Sequence, residues 1–202
     1  MKLIPLIIAL IAFASTSSAF AQRANATPTM LKGPADWRFE RLPIPPGFAR
    51  DIPWTGYEEA RFAPGMFDTS SANHFTYALS IYVDGTAPVQ APALKSFLDK
   101  YLKGLSVMVG RRKGLKPDEA QFNAEVLPRK TEANATGTFT AKATMFDTFN
   151  DGGKVSLNME IDVLPKAEAQ KTQIILLITP QAFDAPVWKQ LREIRSSVQA
   201  PQ

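Results

Sequence analysis

Cysteine is absent from this chain of 202 residues, and histidine occurs once, at position 74. The first absence removes thiol catalysis, zinc–thiolate centres and iron–sulfur clusters. It also leaves the fold without disulfides, so a hydrophobic core alone must hold it. A single histidine excludes a metal site built on several imidazoles. No G-x-G-x-x-G phosphate loop is present, and Gly152-Gly153 and Pro64-Gly65 read as turn glycines. No G-x-S-x-G nucleophile elbow occurs either. Beyond residue 21 no apolar run approaches the roughly 20 residues of a membrane-spanning helix; the longest, Ile174 to Ile178, is strand-sized. No cofactor and no metal are therefore expected.

What the chain does have begins at its N-terminus. Met1-Lys2 is a short basic start. Leu3 to Ala14 is apolar, interrupted only by Pro5. Ser15 to Ser18 then leads into Ala19-Phe20-Ala21, an A-x-A pattern. That succession predicts a signal peptide over residues 1–21, cleaved after Ala21, and places the mature protein in a periplasm or outside the cell. Residues 22–35 are polar and small and read as a flexible leader. The remainder, 36–200, has the length of one domain.

The net charge is +4, with basic and acidic residues interspersed. The one basic cluster, Arg111-Arg112-Lys113, follows a strongly helical stretch whose C-cap is expected at Gly110. Cations there complement the helix dipole. This reading is preferred over a nucleic-acid or anionic-lipid patch, and no nucleic-acid partner is expected.

Periodicity divides the body. Trp37 to Leu42 alternates as a first strand, which Pro43 should end. Glu58 to Ala63 is a short second strand. His74 to Asp84 is a third, with Phe75, Tyr77, Leu79, Ile81 and Val83 on one face. Leu94, Phe97, Leu98, Tyr101, Leu102, Leu105 and Val109 form one apolar stripe of a helix over about 92–109, with Pro92 in its first turn. Phe122 to Leu127 and Gly137 to Phe149 are further strands. Asn150-Asp151-Gly152-Gly153 is a hairpin turn, and Lys154 to Leu164 returns with Val155, Leu157, Met159, Ile161 and Val163 inward. Thr172 to Thr179 is apolar on both faces, as a central strand is. Asp184 should cap a terminal helix over about 185–198, with Pro186 in its first turn. Strands in a meander with two helices predict an α+β fold: a largely antiparallel sheet of five to seven strands.

Few residues invite chemistry. His74 lies near Ser70, Ser71 and Asp68, the residue types of a Ser–His–acid hydrolase; a capping or surface histidine is the preferred reading. Asp147, Asn150, Asp151, Glu160 and Asp162 offer oxygen ligands, but out of register with a calcium loop. Glu58 and Glu59 are adjacent on a strand and must point to opposite faces, so they cannot work as a glycosidase pair. Glu59 and Arg61 share a face and could pair. The segment Arg61 to Asp68 sets Phe62, Met66 and Phe67 around a rigid Pro64-Gly65 turn. It reads either as a loop tucked into the core or as a binding surface.

Trp37-Arg38-Phe39-Glu40-Arg41-Leu42-Pro43 with Pro45-Pro46-Gly47-Phe48, and Glu59-Ala60-Arg61-Phe62-Ala63-Pro64-Gly65-Met66-Phe67-Asp68, resemble segments of uncharacterised small exported bacterial proteins. The resemblance extends over most of the mature chain and brings no catalytic residues with it. The strand–helix–meander–helix order is similar to the PsbP/Mog1-type layout, an analogy of fold alone. The expectation is an exported, non-catalytic binding or accessory module for a ligand or envelope protein, with Arg61, Phe62, Met66, Phe67 and His74 as candidate binding residues. The alternative is a hydrolase using His74 with Ser70 or Ser71.

Overall fold

The computed structural model describes residues 29–86, 89–116, 121–129 and 137–198. The expected signal peptide at 1–21 and the leader residues 22–28 lie outside them. Among the described residues seven strands form a single antiparallel sheet: β1 (Arg38–Ile44), β2 (Gly56–Phe62), β3 (Tyr77–Asp84), β4 (Asn123–Pro128), β5 (Gly137–Phe146), β6 (Lys154–Lys166) and β7 (Lys171–Thr179). Their spatial order is β1-β2-β3-β7-β6-β5-β4. Two helices, α1 (Ala91–Arg112) and α2 (Val187–Ser196), complete an α+β fold. No helix among the described residues is long and apolar enough to cross a membrane.

Alternation sorts the strands between two apolar layers. Leu79, Ile81, Ala141, Ala143, Leu157, Met159, Ile161, Ile174, Leu176 and Ile178 face α1, which contributes Leu94, Phe97, Leu98, Tyr101 and Leu102. Ala78, Ile175 and Leu177 face the other way and meet Trp188, Leu191 and Ile194 of α2. β7 is buried along nearly its whole length because it lies centrally and is covered on both sides.

Residues 45–55 cross α1 as a strap. Phe48 packs edge-on to Tyr101 at 5.0 Å, and Trp54 stacks on Phe97 at 5.0 Å. Lys100 Nζ donates to the Asp51 carbonyl at 2.8 Å. The close approach requires Gly104. A Cβ there would overlap the Phe48 carbonyl oxygen and sit 3.0 Å from its carbon.

Several boundaries differ from expectation. β1 continues through Pro43 to Ile44, because it is an edge strand and a missing N–H costs nothing on an open edge. β3 starts at Tyr77 rather than His74, since Phe75 adopts φ +50° and breaks the strand. α1 passes Gly110, which is buried within the helix, and ends at Arg112. The left-handed residue is Gly114 (φ +74°). Leu115 N–H returns to the Gly110 carbonyl at 2.9 Å and Gly114 N–H to that of Arg111 at 3.1 Å, a Schellman closure. α2 has Pro186 as its N-cap with no side-chain cap bond, so Asp184 is not the capping residue. Of the expected leader, residues 29–35 are described, and Met30 and Leu31 are fully buried. Leu31 completes the α2 layer rather than belonging to a flexible segment.

Candidate functional site

Two loops meet at one end of the sheet: residues 63–76, joining β2 to β3, and residues 147–153, joining β5 to β6. The first is a chain of tight turns. Met66 N–H donates to Ala63 O, Asp68 N–H to Gly65 O and Ser71 N–H to Asp68 O, each at 3.0 Å. Gly65 has φ +82° and leaves no room for a Cβ beside the Ser71 hydroxyl. Asp68 Oδ1 accepts the hydroxyl (2.7 Å) and N–H (2.8 Å) of Ser70, and these bonds hold its carboxyl below the usual range. Phe75, buried at 1 % exposure, keeps its left-handed backbone because its N–H bonds Met66 O at 2.9 Å and its ring packs against His74 and Phe149.

The second loop is organised by Asp147. Its Oδ1 accepts the N–H groups of Phe149 (3.0 Å) and Asn150 (3.1 Å). Its Oδ2 accepts Asn150 Nδ2 at 2.9 Å and faces His74 Nε2 at 3.1 Å. Gly152 turns with φ +82°, and a Cβ there would lie 2.5 Å from the Phe146 ring. The end of α1 is tied in as well. Lys113 Nζ donates to the Phe149 carbonyl at 2.6 Å, and Thr148 Oγ1 donates to the Ser106 carbonyl at 3.0 Å.

The two loops share an aromatic row. Phe62 touches Tyr77 (5.9 Å between centroids) and Phe67 (6.2 Å). Phe67 packs edge-on to Phe149 at 5.0 Å, and Phe149 reaches Phe75 at 5.4 Å. Phe67 is nonetheless 42 % exposed.

The candidate residues therefore separate. Phe62, Phe67 and His74 gather at this end, Phe62 partly buried and Phe67 open to solvent. Met66 is buried in the core. Arg61 belongs to the opposite face of the sheet. Its guanidinium lies over the Phe39 ring at 4.6 Å and donates to the Leu31 carbonyl at 3.0 Å. It does not pair with Glu59, whose carboxylate is taken by Arg41 and by the Leu31 N–H at 2.9 Å. Asp147, Asn150 and Phe149 join the site from a turn some 75 residues away. The polar composition of that turn is visible in the sequence; its proximity to His74 is not.

His74 has an acid partner, but the serine contact that a hydrolase needs is not formed. Ser70 Oγ donates to Asp68, and Ser71 Oγ accepts the Asn73 N–H at 3.0 Å. The oxygens of Asp147 are consumed by its own turn and by His74. Among the described residues no group of three or more histidine or acidic side chains could hold a metal ion.

Two further ionisable centres lie away from this end. Glu58 is 1 % exposed beneath α1, where Tyr101 donates to its Oε1 at 2.7 Å and Oε2 has no partner among the described residues. Burial pushes its carboxyl up to about 7, against the opposing effect of the Tyr101 bond. Desolvation likewise raises Tyr77 and Tyr101. On the α2 side, Glu160 accepts Arg192 Nη2 (2.7 Å) and Arg195 Nη1 (2.8 Å), with Arg129 Nη1 at 3.3 Å. Burial acts to raise the Glu160 carboxyl, but the Arg192 bond and the three positive charges outweigh it and hold it low. Asp162 shares Arg129 and Arg195. This network fastens α2 across β6.

Fold and site together define a class: an antiparallel sheet with a helix on each face and a rigid aromatic end built from two loops. No protein-family model, no curated protein and no solved structure matches the chain.

Proposed function

We propose that this is an exported, non-catalytic binding or accessory module that acts through the loop end centred on Phe67. The observation that carries the reading is Phe67 itself. It is a large aromatic side chain, 42 % exposed, on a loop whose neighbours Met66 and Phe75 are buried and hydrogen-bonded to one another. Side chains held in this way lose little freedom on binding, and exposed aromatics of this kind are enriched at contact surfaces. Export is supported by the basic start, the apolar run and the Ala19-Phe20-Ala21 pattern. The resemblance to small exported bacterial proteins agrees with export and brings no activity with it.

The test is site-specific crosslinking in intact cells with a photoreactive residue at position 67. A matched control goes at Phe39, which is 37 % exposed on the other face. Adducts at 67 and none at 39 are expected, from a protein whose N-terminus is Gln22 and which fractionates with the envelope. Absence of adducts to protein and to lipid alike at both positions would overturn the binding assignment. A full-length chain confined to the cytosol would overturn export.

A further inference from the structure

Taking the loop end as the working surface, we propose that its partner is an anionic lipid bilayer, met by Phe67 and the basic turn that closes α1. The inference rests on the binding reading above, adds the chemistry of what is bound, and gives Arg111-Arg112-Lys113 the lipid-facing role that the sequence alone ranked below helix-dipole complementation. Two observations are joined. First, Phe67 projects from the aromatic row while Phe62 and Phe149 support it from behind. Second, Arg111, Arg112, Lys113 and Lys116 are all exposed, and Lys113 Nζ bonds the carbonyl of the same Phe149 whose ring carries Phe67. Lys113 therefore sits beside the aromatic row, with Arg111, Arg112 and Lys116 adjacent to it along the chain, though about 45 residues separate them from Phe67 in sequence.

Two carboxylates at this end, Asp68 and Asp151, keep their negative charge and are hydrogen-bonded only by neutral groups, and the exposed cations outnumber them. Asp68 is bonded by Ser70 and Asp151 by the Gly153 N–H at 2.8 Å. Among the described residues no carboxylate pairs with Arg111, Arg112, Lys113 or Lys116. Lys154 adds a further exposed positive charge at the start of β6. Asp118 and Glu119 follow in sequence and lie outside the described residues. A cluster of cations beside a protruding aromatic matches the two layers of a membrane interface: anionic headgroups above, acyl boundary beneath. A protein partner would need a complementary acidic patch around an apolar pocket, and it is kept as the competing outcome.

The experiment reads the site locally, so that contacts made by other parts of the chain do not register. Phe67→Trp places a fluorophore at the tip, whereas Trp37 and Trp188 are buried and Trp54 is stacked on Phe97; the parent protein supplies the background signal. The purified protein is titrated with vesicles of phosphatidylglycerol and phosphatidylcholine, and with phosphatidylcholine alone. Brominated acyl chains serve as quenchers. The expected result is a blue shift and quenching of the introduced indole with the anionic vesicles only, reversed in 0.5 M salt, where the Debye length falls below about 5 Å. Arg111→Glu with Arg112→Glu should weaken that binding at least tenfold. Lys95→Glu, on the exposed side of α1, should leave it unchanged. Phe67→Ser, followed by sedimentation with the same vesicles, should weaken it several-fold. These positions are exposed, so an unchanged melting curve verifies folding.

Equal response to neutral vesicles, no response to either, or indifference to the arginine reversals overturns the lipid assignment. Protein adducts from position 67 in cells, combined with no vesicle response, would overturn this inference and leave the binding reading intact. Loss of both removes the reading as well.

Discussion

The Tyr101 hydroxyl donates to the Glu58 carboxyl at 2.7 Å across the interface of β2 and α1, and no cation among the described residues joins them. The nearby charge is Glu40, of the same sign, and Tyr77 is the other titratable neighbour. A carboxyl held near 7 in the folded state, against an ordinary value near 4.5, binds its proton more tightly folded than unfolded. Its contribution is therefore fully present below about pH 4.5 and is lost as the pH rises to about 7. The loss is on the order of 3 kcal/mol. Urea denaturation at pH 5 and pH 8 should show that fall. Glu58→Gln should flatten it and leave the variant more stable than the parent at pH 8. A parent protein whose stability does not fall over that range contradicts the assignment.

Glu160 has the opposite sign. Its carboxyl is held low, so its contribution is present above the ordinary value near 4.5 and disappears as the pH falls through the depressed one. Glu160→Ala leaves Arg129, Arg192 and Arg195 around an empty centre, with Asp162 as the remaining acid. A loss of about 2–4 kcal/mol is expected. Hydrogen exchange should locate it in α2, whose amides lose protection before those of β7.

Gly104→Ala inverts a general rule. Within a helix this substitution ordinarily stabilises by about 0.5–1 kcal/mol. Here the methyl group would enter the Phe48 carbonyl and sit 3.2 Å from the Ala49 Cβ. The strap 45–55 must lift. The melting temperature should fall rather than rise, and Trp54 emission should shift red as its stacking on Phe97 loosens.

Asp147→Ala removes the acceptor of four hydrogen bonds, three of them within its own turn. It should cost about 2–3 kcal/mol, and His74→Ala about 1 kcal/mol. A double-mutant cycle should return a coupling near 1 kcal/mol for the pair. Zero coupling would mean that His74 does not tie the two loops together.

The two-layer architecture is legible in the sequence because burial imposes period two on strands. The sets Tyr77-Leu79-Ile81-Val83 and Val155-Leu157-Met159-Ile161-Val163 alternate with the correct inward face, and all nine residues lie in the α1 layer. Thr172 to Thr179 reads as central because it is apolar at both parities. What the sequence hides is set by contacts between distant segments. The continuation of α1 past Gly110 depends on where Gly114 closes the helix. The burial of Leu31 depends on α2, more than 150 residues later. The candidate loop is visible as composition, but its division into buried Met66, exposed Phe67 and structural Arg61 is not. Strand parity sends Arg61 to the α2 side, and the partners there, Phe39 and Leu31, come from other parts of the chain.

Leu31 packs in the layer completed by Trp188, Leu191 and Ile194, and Ser197 Oγ donates to the Lys32 carbonyl at 2.9 Å. The earliest and latest described segments thus close against each other. A chain emerging N-terminus first, from a ribosome or through a translocation pore, carries residue 31 long before α2 follows. Until then Glu59 has its Leu31 donor but no roof, and the apolar side of β3 and β7 stays open. The α1 layer can form early, from residues 44 to 178. The other layer is a final act, and truncation of the last fifteen residues would leave a half-built sandwich rather than a shorter protein.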